Sequence, residues 1–79
     1  MDRIKKFLRT LTPKLQDRLI AIIEKITSNH LDALDIKPLK GKKNWFRCRV
    51  GTIRIIFIKT AQGTAIHDMQ YRDKAYRNL

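Results

Sequence analysis

The sequence predicts an α+β fold: an N-terminal helical hairpin packed on a three-stranded antiparallel sheet, in a single domain spanning residues 1–79. Three observations carry that expectation. Apolar residues recur at helical spacing through the first third of the chain. A Thr-Pro pair interrupts that recurrence once. Further on, two runs rich in aromatic and β-branched residues are separated only by Gly51-Thr52.

The first helix is expected to start at Asp2, a capping residue, with Ile4, Phe7, Leu8 and Leu11 forming one buried stripe. Thr12 then suits a second N-cap, and Pro13 is tolerated at the first helical position because its missing N–H would have no partner there. Leu15, Leu19, Ile22, Ile23 and Ile26 keep to one face of the second helix, and Lys14, Asp17, Arg18 and Lys25 to the other. Asn29 and His30 suit its C-terminal end, His30 as a capping cation. Two amphipathic helices need an apolar surface to lie on.

A linker containing Pro38 and Gly41 leads to that surface, formed by strands Asn44 to Val50 and Ile53 to Lys59. Glycine leading a two-residue loop is the mark of a type II′ hairpin. Counting outward sets Val50 against Ile53, Arg49 against Arg54, Cys48 against Ile55, Arg47 against Ile56 and Phe46 against Phe57. Alternation puts Phe46, Cys48, Val50, Ile53, Ile55 and Phe57 on the helix side, and Trp45, Arg47, Arg49, Arg54, Ile56 and Ile58 on the other. A third strand, Thr64 to Tyr71, follows the loop Ala61-Gln62-Gly63, read as a three-residue turn with a bulge at the glycine. That register opposes Ile58 to Ile66, Ile56 to Asp68 and Arg54 to Gln70, and turns His67, Met69 and Tyr71 toward the helices.

Composition narrows the function. Eighteen Lys and Arg against seven Asp and Glu leave a net charge of +11, which argues against a neutral metabolic enzyme and for a polyanionic partner. No apolar run approaches the ~20 residues of a spanning helix. The start MDRIKKFLRTL has neither an apolar stretch nor a small-residue cleavage site, so no secretory signal is expected. Cys48 alone makes no internal disulfide, which fits a reducing cytoplasm. Metal-ligand spacing and Gly-rich phosphate loops are both missing from the sequence, so neither a metal nor a cofactor is expected.

The polar face holds the chemistry. Arg49 directly opposite Arg54, with Arg47 nearby, places like charges across a strand pair, which costs stability. Arginine cannot escape that repulsion by losing a proton, with a pKa above ~12. A bound anion resolves it, because guanidinium forks match phosphate oxygens and stabilise charge that grows on them. Lys37, Lys40, Lys42 and Lys43 extend the positive field. Trp45 either stacks on nucleobases or covers Ile58 as a half-buried strand-end residue, and Tyr76 offers a second flat surface. Asp68 among arginines reads as a structural pairing partner, and His67 as a core residue beside Phe57. Ile56, Ile58 and Ile66 are expected to form an exposed apolar strip beside the arginines, suited to a bound protein segment.

Two helices, then Ile36-Lys37-Pro38-Leu39-Lys40-Gly41, then Trp45-Phe46-Arg47-Cys48-Arg49-Val50-Gly51-Thr52-Ile53-Arg54-Ile55-Ile56-Phe57, resemble the RelE/ParE superfamily of bacterial and archaeal toxins, and its RelE-like branch in particular. The tail Tyr71-Arg72-Asp73-Lys74-Ala75-Tyr76 is similar to that superfamily's H-R-x-x-x-Y ending. The resemblance implies the toxin of a type II toxin–antitoxin system: a ribosome-dependent, metal-independent mRNA endoribonuclease, neutralised by a cognate antitoxin, expected to be acidic. It implies phosphate-binding and catalytic roles for Arg47, Arg49, Arg54 and Arg72, and a substrate-orienting role for Tyr76. RNA and ribosome contacts fall to Lys37, Lys40, Lys42, Lys43 and Trp45, and antitoxin contacts to Ile56, Ile58 and Ile66. The superfamily's other activity, inhibition of DNA gyrase without cleavage, and a catalytically weak RNA-binding relative are the alternatives. The usual first edge strand has no counterpart here, which is why three strands are expected. Some members also carry a lysine where this chain has Arg49, a poor base, so the proton acceptor is open among Asp68, Tyr76 and a loop lysine.

Overall fold

Helix α1 (Arg3–Arg9) and helix α2 (Pro13–Thr27) meet at the Thr12-Pro13 break in the computed structural model, which describes residues 3–71. Asp2, Arg72 and Tyr76 lie outside the described residues. Thr12 has extended backbone, and its hydroxyl accepts the Leu15 N–H at 3.3 Å, a cap that contributes about 1 kcal/mol. At the other end Asn29 turns left-handed (φ 62°), which brings the His30 N–H onto the Lys25 carbonyl at 2.8 Å. His30 therefore caps through its backbone. Leu11, Leu19 and Ile26 are buried, with Ile4, Phe7, Leu8, Leu15, Ile22 and Ile23 packed around them.

The sheet is an antiparallel meander of β1 (Asp35–Pro38), β2 (Trp45–Val50), β3 (Ile53–Thr60) and β4 (Gly63–Tyr71), in that spatial order. The α+β expectation holds, with one short strand more than the three expected. β1 lies in the segment read as a linker and follows α2. It pairs with the free side of β2, setting Asp35 against Arg49, Ile36 against Cys48 and Lys37 against Arg47. Pro38, which cannot donate to a ladder, ends it at the sheet edge.

Every β2–β3 pair expected from the sequence is present. Gly51 has φ 59° and Thr52 keeps negative φ, as a type II′ turn requires. The helix-facing side of this hairpin is closed: Cys48, Ile55 and Phe57 are fully buried, and Phe46 stacks on Phe57 at 5.5 Å.

The β3–β4 hairpin corrects half of the expected register. Arg54 opposes Gln70, Ile55 opposes Met69 and Ile56 opposes Asp68, but beyond that the ladder shifts by one residue, so that Phe57 opposes Ile66 and Ile58 opposes Ala65. The turn closes on two residues, Ala61 and Gln62, because Thr60 pairs with Gly63. The Thr60 hydroxyl secures it, donating to the Gly63 carbonyl at 2.9 Å and accepting the Gln62 N–H. The extra residue expected at Gly63 is displaced inward along the strand to His67. Such a bulge puts two neighbouring residues on one face and reverses the alternation beyond it. Ile66 accordingly packs against the core, while His67 is exposed and meets Trp45 on the opposite face. The expected core position of His67 and the outward position of Ile66 are both overturned. Met69 is buried as expected, and Tyr71 sits at the rim, 5.2 Å from the Phe7 ring.

Candidate functional site

The sheet face away from the helices carries three rows of side chains. The first runs Asp35–Arg49–Arg54–Gln70, the second Lys37–Arg47–Ile56–Asp68, and the third crosses Trp45, Ile58 and Ala65. Arg47, Arg49 and Arg54 therefore share one face, as their spacing predicts. Their environments differ.

Arg49 is answered from within the chain. Its Nε donates to an Asp35 carboxylate oxygen at 3.2 Å, a cross-strand ion pair that exists only because β1 is in the sheet. The repulsion expected between Arg49 and Arg54 is therefore answered at this position by a carboxylate of the chain and not by a bound anion. Arg54 is held differently. It donates from Nη2 to the Gln70 carbonyl oxygen at 3.1 Å, and Gln70 donates in turn to Asp68 at 3.1 Å. Asp68 also takes the Met69 N–H and a charge contact from Arg3 at 3.4 Å. Arg3 thus reaches the edge strand from α1. Burial alone would raise the Asp68 carboxyl, but the hydrogen bonds from Gln70 and Met69 and the Arg3 charge outweigh it, leaving the pKa lowered. Asp68 is a fixed anion that orients Gln70, and Gln70 orients Arg54.

Two features mark the middle of this face as electrostatically unfinished. The Arg54 Nε is buried and makes no hydrogen bond among the described residues, a state that costs free energy. Arg47, half-buried beside Lys37, has no carboxylate partner among the described residues either. Arg47 and the partly exposed part of the Arg54 guanidinium are donors suited to a phosphate oxygen.

The aromatic corner lies next to them. Trp45 is half-buried, with the Lys42 Nζ 4.6 Å from its ring centroid and the His67 ring 4.7 Å away at 65°. Lys42 is brought there by a tight loop in which the Leu39 N–H bonds the Trp45 carbonyl, and Gly41 (φ 78°) and Asn44 (φ 67°) make the turns. Lys37, Lys40 and Lys43 are exposed along the same approach.

The expected apolar strip does not form. Ile56 is only 7% exposed, covered by its neighbours on the polar face, and Ile66 faces the helices, so Ile58 alone remains partly open. Cys48 is buried, and desolvation followed by the Asp35 charge pushes its thiol pKa up, which leaves it inert. No cluster of candidate metal ligands occurs among the described residues, and none of the described helices is long and apolar enough to cross a membrane. Sequence reasoning missed Asp35 and Arg3 as partners of the basic groups, because their contacts need the extra strand β1 and the packing of α1 beside β4; it set Gln70 opposite Arg54 without reading the hydrogen bond between them.

No family model and no curated protein matches the chain. Among solved structures, the RelB-RelE antitoxin-toxin complex from Methanococcus jannaschii is similar, with a TM-score of 0.73 and 30% identity over 94% of this chain and 89% of that one. The helical hairpin laid on a meander is thus shared with a solved relative across nearly the whole length, and the chain belongs to the RelE-like toxin family.

Proposed function

We propose that this protein is the toxin of a toxin–antitoxin pair and that its basic sheet face holds mRNA on the ribosome and cuts it. The observation that carries this reading is the juxtaposition of Arg47 with an Arg54 whose buried Nε lacks a partner. A phosphate bound by Arg47 and by the partly exposed part of the Arg54 guanidinium supplies the negative charge that this part of the face lacks among the described residues. The nucleophile is the substrate's own ribose 2′-OH, which attacks the adjacent phosphorus. Arg54, held by Gln70, and Arg47 stabilise the charge that accumulates on the phosphate oxygens. Arg49, tied to Asp35, attracts RNA more weakly than Arg47. Lys37, Lys40, Lys42 and Lys43 follow the RNA backbone and Trp45 presents a ring to a base. Arg72 and Tyr76 are assigned to the same site. The partner that neutralises the toxin is an acidic antitoxin, answering the charge of +11.

Expression of the protein followed by mapping of mRNA 5′ ends tests this reading. Cleavage confined to translated messages is expected, and Arg54→Ala is expected to lower the single-turnover rate on programmed ribosomes by about 100-fold. Intact message with the wild-type protein would overturn it.

A further inference from the structure

The bulge in β4 moves an imidazole from where alternation would bury it to the face where the reaction is proposed. His67 is exposed, and its ring contacts Trp45, which sits two strands away on β2. Neighbouring strands lie about 4.8 Å apart, so a contact between β2 and β4 must pass over β3. The contact between the two rings therefore lies over β3, on the side of the sheet that carries Arg47. A flat ring on one side and the bulge on the other limit the directions the imidazole can point.

We propose that His67 is the proton acceptor for the 2′-OH in the cleavage reaction, held in position by Trp45; this rests on the nuclease reading above. The charged and titratable groups around it leave it without a rival on the described part of the face. From β2 come Arg47 and Arg49, and from β3 Arg54, none of which can act as a base near neutrality. From β4 comes Asp68, already committed to Gln70, the Met69 N–H and Arg3. Lys37 lies across the sheet beside Arg47, and Lys42 is set over Trp45. Imidazole is the side chain suited to exchange a proton between about pH 5 and 8.

The step balances within the RNA. The bond from O2′ to phosphorus forms as the bond from phosphorus to O5′ breaks, and the 2′-OH proton passes to the neutral imidazole. The departing 5′-oxygen takes a proton from water, and the imidazolium returns its own to solvent. The products are a 2′,3′-cyclic phosphate and a 5′-hydroxyl.

Single-turnover cleavage of ribosome-bound mRNA across that pH range tests the assignment. The wild-type rate is expected to rise with pH, as for a reaction whose base is an imidazole. His67→Gln is expected to be about 100-fold slower and to lose that rise, with binding to programmed ribosomes unchanged within about twofold. Imidazole added to His67→Ala should restore part of the rate, and Trp45→Phe should keep more of it than Trp45→Ala. A His67→Gln protein that cuts at the wild-type rate, or one that is slower with the same pH dependence, would overturn the proposal while leaving the nuclease reading intact. A wild-type protein that cuts nothing would overturn both.

Discussion

The two faces of the sheet solve opposite problems. The helix-facing side is closed by apolar contact: Leu19, Ile26, Cys48, Ile55 and Phe57 are fully buried, and no polar or charged residue among the described ones is buried with them. The outer side gathers cations and answers them unevenly. At one edge Asp35 holds Arg49, at the other Asp68 anchors Gln70 and Arg3, and between those edges Arg47 and the Arg54 Nε are left without an anion among the described residues. Under the proposed reading, the difference separates the side that stabilises the fold from the side that takes the ligand.

The largest effect that would sharpen this contrast belongs to the closed side. Phe57→Ala should destabilise the protein by about 3–5 kcal/mol, read from urea unfolding, because the ring is fully buried against Phe46 and the cavity cannot fill with water. Next come the two arginines of β2. Arg47→Ala should reduce single-turnover cleavage by about 100-fold and Arg49→Ala by no more than about tenfold, with both melting close to wild type. Asp35→Asn is the complementary change: it releases Arg49, and the salt dependence of RNA binding should steepen by about one phosphate contact. Equal losses from Arg47→Ala and Arg49→Ala would break the distinction between an answered and an unanswered charge.

How much of this was legible beforehand depended on how locally each feature is encoded. The β2–β3 register could be counted because a two-residue glycine-led loop leaves one solution, and the juxtaposition of Arg49 and Arg54 came with it. Both helices could be placed from their stripes and from Thr12-Pro13. β1 could not be read, since Asp35–Pro38 contains one apolar side chain and becomes a strand only when β2 offers an edge. The ion pair of Arg49 was hidden for the same reason. The β3–β4 hairpin contains the extra residue that its loop implies, but local chemistry does not say whether that residue sits at Gly63 or further along. The Thr60 hydroxyl, by closing the tighter turn, sends it to His67. That single displacement exchanged the faces of Ile66 and His67, and with them the apolar strip and a titratable group.

A smaller effect tests the turn that sets Arg49 against Arg54. Gly51 has φ 59° and nothing within 4 Å of the place a Cβ would occupy, so the cost of Gly51→Ala is conformational and not steric. It should be about 1–2 kcal/mol in urea unfolding. Gly51→Asn should cost a similar amount, because the first central position of a type II′ turn lies outside the left-handed helical region that asparagine tolerates.

The smallest effect separates charge from packing at the open side's edge. The Asp68 carboxyl is lowered in the folded protein, as the Gln70 and Met69 hydrogen bonds and the Arg3 charge outweigh burial. A group with a depressed folded pKa contributes stability that is present above its unfolded value and is lost as the pH falls through the folded one. Asp68→Asn should therefore destabilise by about 1 kcal/mol near pH 7, a modest figure because Arg3 is largely exposed and the Asn side chain still accepts one hydrogen bond. Below about pH 4 the wild-type carboxylate begins to take up its proton, and the two proteins should converge in urea unfolding. If the gap persists at acid pH, Asp68 acts by shape, and the orientation of Arg54 through Gln70 does not depend on a fixed negative charge.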